Sequence, residues 1–417
     1  MNELDYARSR LYFIFEGCLA ISITALSSGV IISGLLKSIG ADDSLNGILS
    51  GIPVSAGALI ILMPMMTRNL SHIKRFVLTL AVIHRLLFSL LLTIPLILSD
   101  NTARMIAFVV IYAVAYILGT FIGPSASNWL VSLVPGEKRG RYMAIREGAM
   151  IATMGVVSVL IGRLIDVMKA RDQEILGYAI CALVILIFTL GNGFFLLNIN
   201  EPTPLRSSQT ITLKTVLTIP PRDKNFRKVI ALLALWNFGL QIGGPYFSIY
   251  FYSVLDLDYA YIMLMSMLAS LARIVAAQFW GRLADRKGWN LVTKLSLVWL
   301  GLCHFGFAGM NEMTYAWIYP ILQIFAGIGW GGVAIALFNI QFDYMPPDLR
   351  TVYMSFNTAV SSIIGFAAIL IGSFVVRITD TQIYHLDVVP FRGMQFLFMV
   401  SGLLILAAAG YVHRRFK

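Results

Sequence analysis

Residues 280–290 read WGRLADRKGWN. Gly281 and Gly288 enclose Arg282, Asp285, Arg286 and Lys287, and roughly twenty mostly apolar residues lie on either side, about the length that crosses a bilayer. A charge at the centre of a bilayer costs about 2.5–3.5 kcal/mol on insertion scales, so a cluster of them belongs where the chain has reached water. The stretch therefore reads as a turn between two membrane-crossing helices, and the question becomes how often the pattern recurs.

It recurs along the whole chain. Twelve apolar runs, each near or above the length a spanning helix needs, cover residues 11–36, 45–66, 76–98, 104–133, 142–166, 175–198, 229–253, 259–280, 291–309, 314–342, 353–376 and 393–412. The runs are long and do not alternate at period two, which selects helices over barrel strands. Composition agrees: 58% of residues are hydrophobic and 13% are charged, about half the charge of a soluble domain. Mean hydropathy is +0.79.

The net charge of +11 raises the question of nucleic acid, and the distribution of charge answers it. With the N-terminus inside, about 22 of the 32 Lys and Arg residues fall on inner segments and about 7 on outer ones. That asymmetry is the positive-inside rule, so the basic balance records topology and no nucleic-acid partner is expected. Cys18, Cys181 and Cys303 all lie in apolar runs without metal-ligand spacing, and read as small buried side chains.

The longest polar break, residues 200–227, contains Pro202, Pro204, Pro220 and Pro221, and divides the spans six and six. Leu213, Val216 and Leu217 within it can form a short amphipathic helix. A repeat supports the division. NWLVSLVPGEKRGRYM from Asn128 and NIQFDYMPPDLRTVYM from Asn339 align at a constant offset: Asn128 with Asn339, Pro135 with Pro346, Arg139 with Arg350, Tyr142 with Tyr353 and Met143 with Met354. Two related halves in parallel orientation produce such a register. The expected architecture is an all-α integral membrane protein. Its twelve transmembrane helices form two pseudo-symmetric six-helix bundles, 1–198 and 228–417, joined by a cytoplasmic linker at 199–227, with both termini cytoplasmic.

On these residues the chain resembles the major facilitator superfamily of secondary transporters. The family's loop signature, Gly-x-Leu-Ala-Asp-Arg-x-Gly, stands here as Gly281, Leu283, Ala284, Asp285, Arg286 and Gly288. The resemblance implies a gating loop that latches the cytoplasmic side, with Gly281 allowing close helix approach and Asp285 accepting hydrogen bonds or pairing with a basic group. Arg139 and Arg146 join it as gating candidates. The matching loop after the second run, PMMTRNLSHIKRF, lacks the Gly and Asp. A drug–proton antiport signature is absent from the fifth run.

Charges inside the runs are functional candidates because of their insertion cost. Glu16, Arg85 and Arg273 are the coupling or intramembrane-charge candidates. Glu16 is a possible proton carrier or the partner of a basic neighbour, and Arg85 an anion site or a hydrogen-bond hub. His84 and His304 stand singly and read as core or interface positions. The resemblance implies a solute cavity lined by runs 1, 4, 7 and 10. Trp236, Asn237, Gln241, Tyr246 and Tyr250 are expected on the seventh, Gln323, Trp330 and Asn339 on the tenth, and Asn128 and Trp129 on the fourth. Gly243-Gly244-Pro245 is expected to break the seventh helix.

The functional expectation is secondary active or facilitative transport of a small organic solute across the cell membrane by alternating access, with protons as the candidate coupling ion. The partners are the solute and the lipid bilayer, the chain is expected to be a monomer, and no cofactor, metal or ATP site is implied. Two other classes stay open at this point: a transporter-like membrane sensor and a lipid-modifying membrane enzyme. Flux in vesicles separates the first from transport, and product formation the second.

Overall fold

A computed structural model describes residues 3–68, 72–201, 211–379, 384–386 and 389–416. Pro202, Pro204 and Arg206 of the expected linker lie outside the described residues. Twelve helices among these residues are long and apolar enough to cross a membrane. They are span 1 (Asp5–Ser38), span 2 (Asp43–Met66), span 3 (Ile73–Ile97), span 4 (Asn101–Leu133), span 5 (Arg139–Lys169), span 6 (Glu174–Asn198), span 7 (Arg227–Val254), span 8 (Tyr259–Lys287), span 9 (Trp289–Ala308), span 10 (Tyr315–Tyr344), span 11 (Pro347–Thr379) and span 12 (Gly393–Arg415). Each overlaps the apolar run of the same number. A two-stranded antiparallel hairpin, Tyr384–Leu386 with Val389–Phe391, lies between spans 11 and 12.

Compactness divides the chain into two units. One holds Met1–Ala41, Leu62–Thr210 and Asp258–Leu264, and the other Asp42–Ile61, Ile211–Leu257 and Met265–Lys417. In the first, span 1 packs against spans 5 and 6, and span 3 against spans 4 and 6. Asp166, near the end of span 5, accepts the backbone N–H groups of Tyr259 and Ala260, both at 2.9 Å. That carboxylate satisfies orphan donors at the start of span 8. In the second unit, span 7 packs against spans 11 and 12, and span 9 against spans 10 and 12. Ser44 and Ser373 hydroxyls meet at 2.8 Å and tie the start of span 2 to span 11.

Lipid tails are as apolar as Leu, so helices in a bilayer associate through close packing and hydrogen bonds rather than hydrophobic exclusion. Span 10 follows that rule. A Cβ at Gly327 would collide with the carbonyl oxygen of Ala269 in span 8, and one at Gly331 would stand 2.8 Å from the carbonyl of Arg273.

Two expectations about helix continuity are corrected. Span 7 does not break at Gly243-Gly244-Pro245: the α-helix runs from Arg227 to Ile249 with Pro245 inside it, and a π-turn follows at Tyr250–Val254. Proline removes a single N–H donor. Gly243, two residues earlier, serves packing, since a Cβ on it would lie 3.3 Å from Leu397 O in span 12. The break falls in span 1 instead, between the helices Glu3–Leu26 and Gly29–Ser38. There the Ser27 and Ser28 hydroxyls donate back to the carbonyls of Ile23 and Thr24, and Gly29 takes φ +57°. Serine back-bonding competes with the helical ladder, and glycine accepts the left-handed turn.

The signature loop is also mostly helix. Span 8 continues to Lys287, so Gly281, Asp285 and Arg286 lie on its last turns, and Gly288 at φ +82° makes the turn. Arg286 and Lys287 face the negative end of the helix dipole, which favours continuation. Among the described residues, its own helix backbone and chain neighbours aside, no atom lies within 4 Å of a Cβ built on Gly281.

The short helix expected in the linker is present at Leu213–Arg222. Thr212 caps it by accepting from Thr215 N at 3.2 Å; Val216 and Pro220 are buried, and Leu213 and Leu217 are exposed. The repeat has matching contacts. Tyr142, early in span 5, donates its hydroxyl to Arg10 O at 2.7 Å, while Tyr353, early in span 11, donates to Asp223 Oδ2 at 3.1 Å, just before span 7.

Candidate functional site

Four helices of the first unit bring polar groups to one point. Glu16 of span 1, Arg85 of span 3 and Asn192 of span 6 are all buried. Arg85 sits at the middle of the 25-residue helix Ile73–Ile97, where neither helix end is within reach of its side chain. Its Nη2 donates to Glu16 Oε1 at 3.2 Å, and its Nη1 donates to Asn192 Oδ1. Asn192 Nδ2 donates to Glu16 Oε1 at 3.2 Å and to the Glu16 carbonyl at 2.9 Å. Arg146 of span 5 places Nη2 at 3.6 Å from Glu16 Oε2 and donates Nε–H to Phe13 O at 3.2 Å. Arg85 and Asn192 donate hydrogen bonds to the Glu16 carboxylate, and Arg146 faces it by charge alone at 3.6 Å.

Small residues make the meeting possible. A Cβ on Gly17 would lie 2.7 Å from Arg146 Nη2, so this glycine leaves room for the guanidinium. A Cβ on Gly119 would lie 2.8 Å from His84 Cε1. The His84 ring reaches Ala115 O through Nδ1 at 2.7 Å and sits edge-on to Phe88.

The cluster forms the wall of a cavity of about 280 Å³. Its polar lining is Glu16, Thr24, His84, Arg85, Ser127 and Arg146, and its apolar lining includes Phe13, Ile23, Ile122 and Leu130. The break in span 1 begins beside it, since Ile23 and Thr24 are both lining residues and both carbonyls that the serines occupy. Broken helices near mid-membrane offer backbone groups to a solute.

The structure brings together Glu16, Arg85 and Arg146 among the sequence candidates. Arg273 lies in the second unit, half-buried, and does not line this cavity. Arg139 donates to the Val134 carbonyl at 3.3 Å and covers the end of span 4. Asp285, Arg286 and Gly288 are exposed. Trp129 is buried, donates Nε1–H to Asn200 O at 3.0 Å and meets Phe13 edge-on, while Asn128 is exposed; Ala126, Ser127 and Leu130 around them line the cavity.

The candidates on spans 7 and 10 belong to the second unit. Trp236 and Trp330 meet edge to face with centroids 5.7 Å apart. Asn237 and Asn339 donate to the carbonyls of Leu233 and Ile335 on their own helices. Tyr250 donates to Met310 O at 2.7 Å, and Tyr246 packs against Gly47 and Gly372. Gln241 packs against Gly365, and Gln323 is half-buried.

Asn192, Gly17 and His84 are the site residues that sequence reading did not assign to it. The signal for Asn192 was its isolation, one amide between two glycines in the apolar stretch LGNGFF. Cys18, Cys181 and Cys303 are free and buried, and His304 is buried with Nδ1 at 2.9 Å from Ser401 Oγ. Among the described residues no group of three His, Cys, Asp or Glu side chains is placed to hold a metal ion.

Known proteins place this architecture. The chain is similar over 98% of its length to a variant of the nucleoside transporter NupG, with TM-score 0.73, 14% identity and all of that chain covered. A bacterial homologue of the iron transporter ferroportin, in its inward-facing state, gives TM-score 0.74 at 16% identity, covering 98% of both chains. A D-xylose–proton symporter gives 0.73 at 13% identity, covering 98% of this chain and 97% of that one. No curated protein sequence matches it. At these identities the likeness shows the fold alone. The Major Facilitator Superfamily profile matches residues 13–369, and with twelve apolar helices in the fold of its transporters, the chain belongs to that superfamily: it is a multi-pass membrane transporter of a small molecule, not an enzyme.

Proposed function

We propose that this transporter moves a small organic solute across the cell membrane by alternating access, as a monomer with both termini cytoplasmic and two six-helix halves, 1–198 and 228–417, joined at 199–227. The solute enters the cavity walled by Glu16, Arg85 and Arg146. The observation that carries this reading is the cluster itself. Three charged side chains from three apolar spans converge on one cavity, and ionisable groups within membrane spans mark substrate and ion pathways.

Glu16 is the carboxyl group on the cavity wall and hence the coupling group. Taking up a proton, it would release two guanidinium groups together. Substrate identification comes from a thermal-shift screen of purified protein against a solute library. In proteoliposomes carrying that solute, Glu16→Gln should abolish accumulation driven by a pH gradient while solute exchange persists. Unchanged gradient-driven accumulation would remove Glu16 from coupling, and absence of any flux would remove the transport reading of the cavity.

A further inference from the structure

We infer that the solute is a small organic monoanion carrying a carboxylate, and that Arg146 is the group that grips it. The inference rests on the proposed role of the Glu16 cavity in solute binding and adds the chemical class.

Charge is the first argument. Among the described lining residues, two guanidinium groups face one carboxylate, so these three side chains sum to +1 when charged. His84 is the other titratable lining group, and either of its charge states keeps the site positive. An unbalanced charge in a low-dielectric wall is costly, and one bound monoanion brings the count to zero. A cation would raise it, and a dianion would reverse it unless Glu16 took up a proton.

Hydrogen bonding is the second argument, and it separates the two arginines. Arg85 is 5% exposed, and both its terminal nitrogens are engaged, by Asn192 and Glu16. Arg146 is half-buried, and only its Nε–H donates to a described acceptor, Phe13 O. Its Nη2 stands 3.6 Å from Glu16 Oε2, beyond a hydrogen bond. Both terminal nitrogens of Arg146, four of the roughly five guanidinium N–H groups, therefore lack a hydrogen-bond acceptor among the described residues. A guanidinium with its outer edge free is built to take a carboxylate through two parallel bonds. The shift needed is small, because Arg146 holds Glu16 only by charge at that distance.

Size and lining are the third. About 280 Å³ is slightly below the usual range of drug-sized pockets, about 300–1,000 Å³. Ile23, Ile122 and Leu130 give the remainder of the solute an apolar bed.

The test uses the purified full-length protein in detergent. Arg146 is labelled with phenylglyoxal and its modification is quantified by mass spectrometry. Formate, acetate, propionate, lactate and benzoate are added at matched concentration, against the corresponding amides. At least one carboxylate should protect Arg146 and raise the melting temperature, and its amide should do neither. Arg146→Lys keeps the charge and loses the fork, so the protective carboxylate should bind at least about tenfold more weakly. Gly17→Ala, which pushes the guanidinium aside without removing it, should weaken the same carboxylate. Equal effects of acid and amide, no protection by any carboxylate, or full affinity in Arg146→Lys would each overturn the inference. A neutral pentose or nucleoside that binds with Glu16 dependence but is indifferent to Arg146→Lys would sink the anion assignment and leave the transport reading standing. Flux that survives with the cavity filled by bulky substitutions at Ala126 would sink both.

Discussion

Glu16, Arg85 and Asn192 form a closed arrangement in which each group needs the others. A buried ion pair adds little net stability, because desolvation offsets attraction, but removing one partner strands a charge. Arg85→Ala should therefore lower the unfolding free energy by about 3–5 kcal/mol, whereas the double replacement Glu16→Gln with Arg85→Gln should recover more than half of that loss. Denaturant or thermal unfolding in detergent checks it, and a strictly additive double variant would show that the two side chains do not depend on each other. Asn192→Ala should cost about 1–3 kcal/mol, the penalty for unpairing buried polar groups. Glu16 and Arg85 were each legible in the sequence as charges in apolar runs. Their pairing was not, since 69 residues separate them and the facing of one helix toward another is not written along the chain. Asn192 escaped because a single uncharged amide scarcely alters the hydropathy of its run.

At the scale of the element, small residues mean different things in different helices. In span 7, Gly243 serves contact with span 12 and Pro245 is absorbed into a continuous helix. Pro245→Ala should consequently change stability by no more than about 1 kcal/mol, because the helix already runs through the position and one N–H is gained. A large loss would mean that the proline holds a bend. In span 10, Gly327→Val meets backbone rather than a movable side chain, since the obstacle is the carbonyl of Ala269. Overpacking of that kind costs about 1–3 kcal/mol or more, and it should appear as a lowered melting temperature or poor recovery from the membrane. The break in span 1 had its signal in plain view, as Ser27-Ser28-Gly29. The choice between that triplet and Gly243-Gly244-Pro245 was made by packing, which rewards an unbroken span 7 against span 12.

At the scale of the whole molecule, the charge asymmetry of the chain makes a topological prediction. A cysteine replacing Lys214 should react with an impermeant thiol reagent only from the cytoplasmic side, as the positive-inside distribution requires. The three native cysteines are buried, at 8%, 0% and 6% exposure, so they should contribute little background. Labelling from the outer face would invert the proposed topology. The repeat is read at this scale too: Tyr142 and Tyr353 occupy matching sequence positions and each ties the start of its helix to the segment at or before the first span of its own half.

Hydrophobic length is a property of consecutive residues, so the amino-acid order alone determined the number of spans and their limits to within several residues. The internal register between Asn128 and Asn339 was likewise linear information. Only the tertiary structure decided which buried polar groups meet, that span 1 is interrupted at Ser27-Ser28 while span 7 runs through Pro245, and that Arg85 hydrogen-bonds Glu16 where Arg146 faces it at 3.6 Å. Those outcomes depend on helix rotation and on close contacts between residues far apart in sequence, and their energies exist only once the helices are packed.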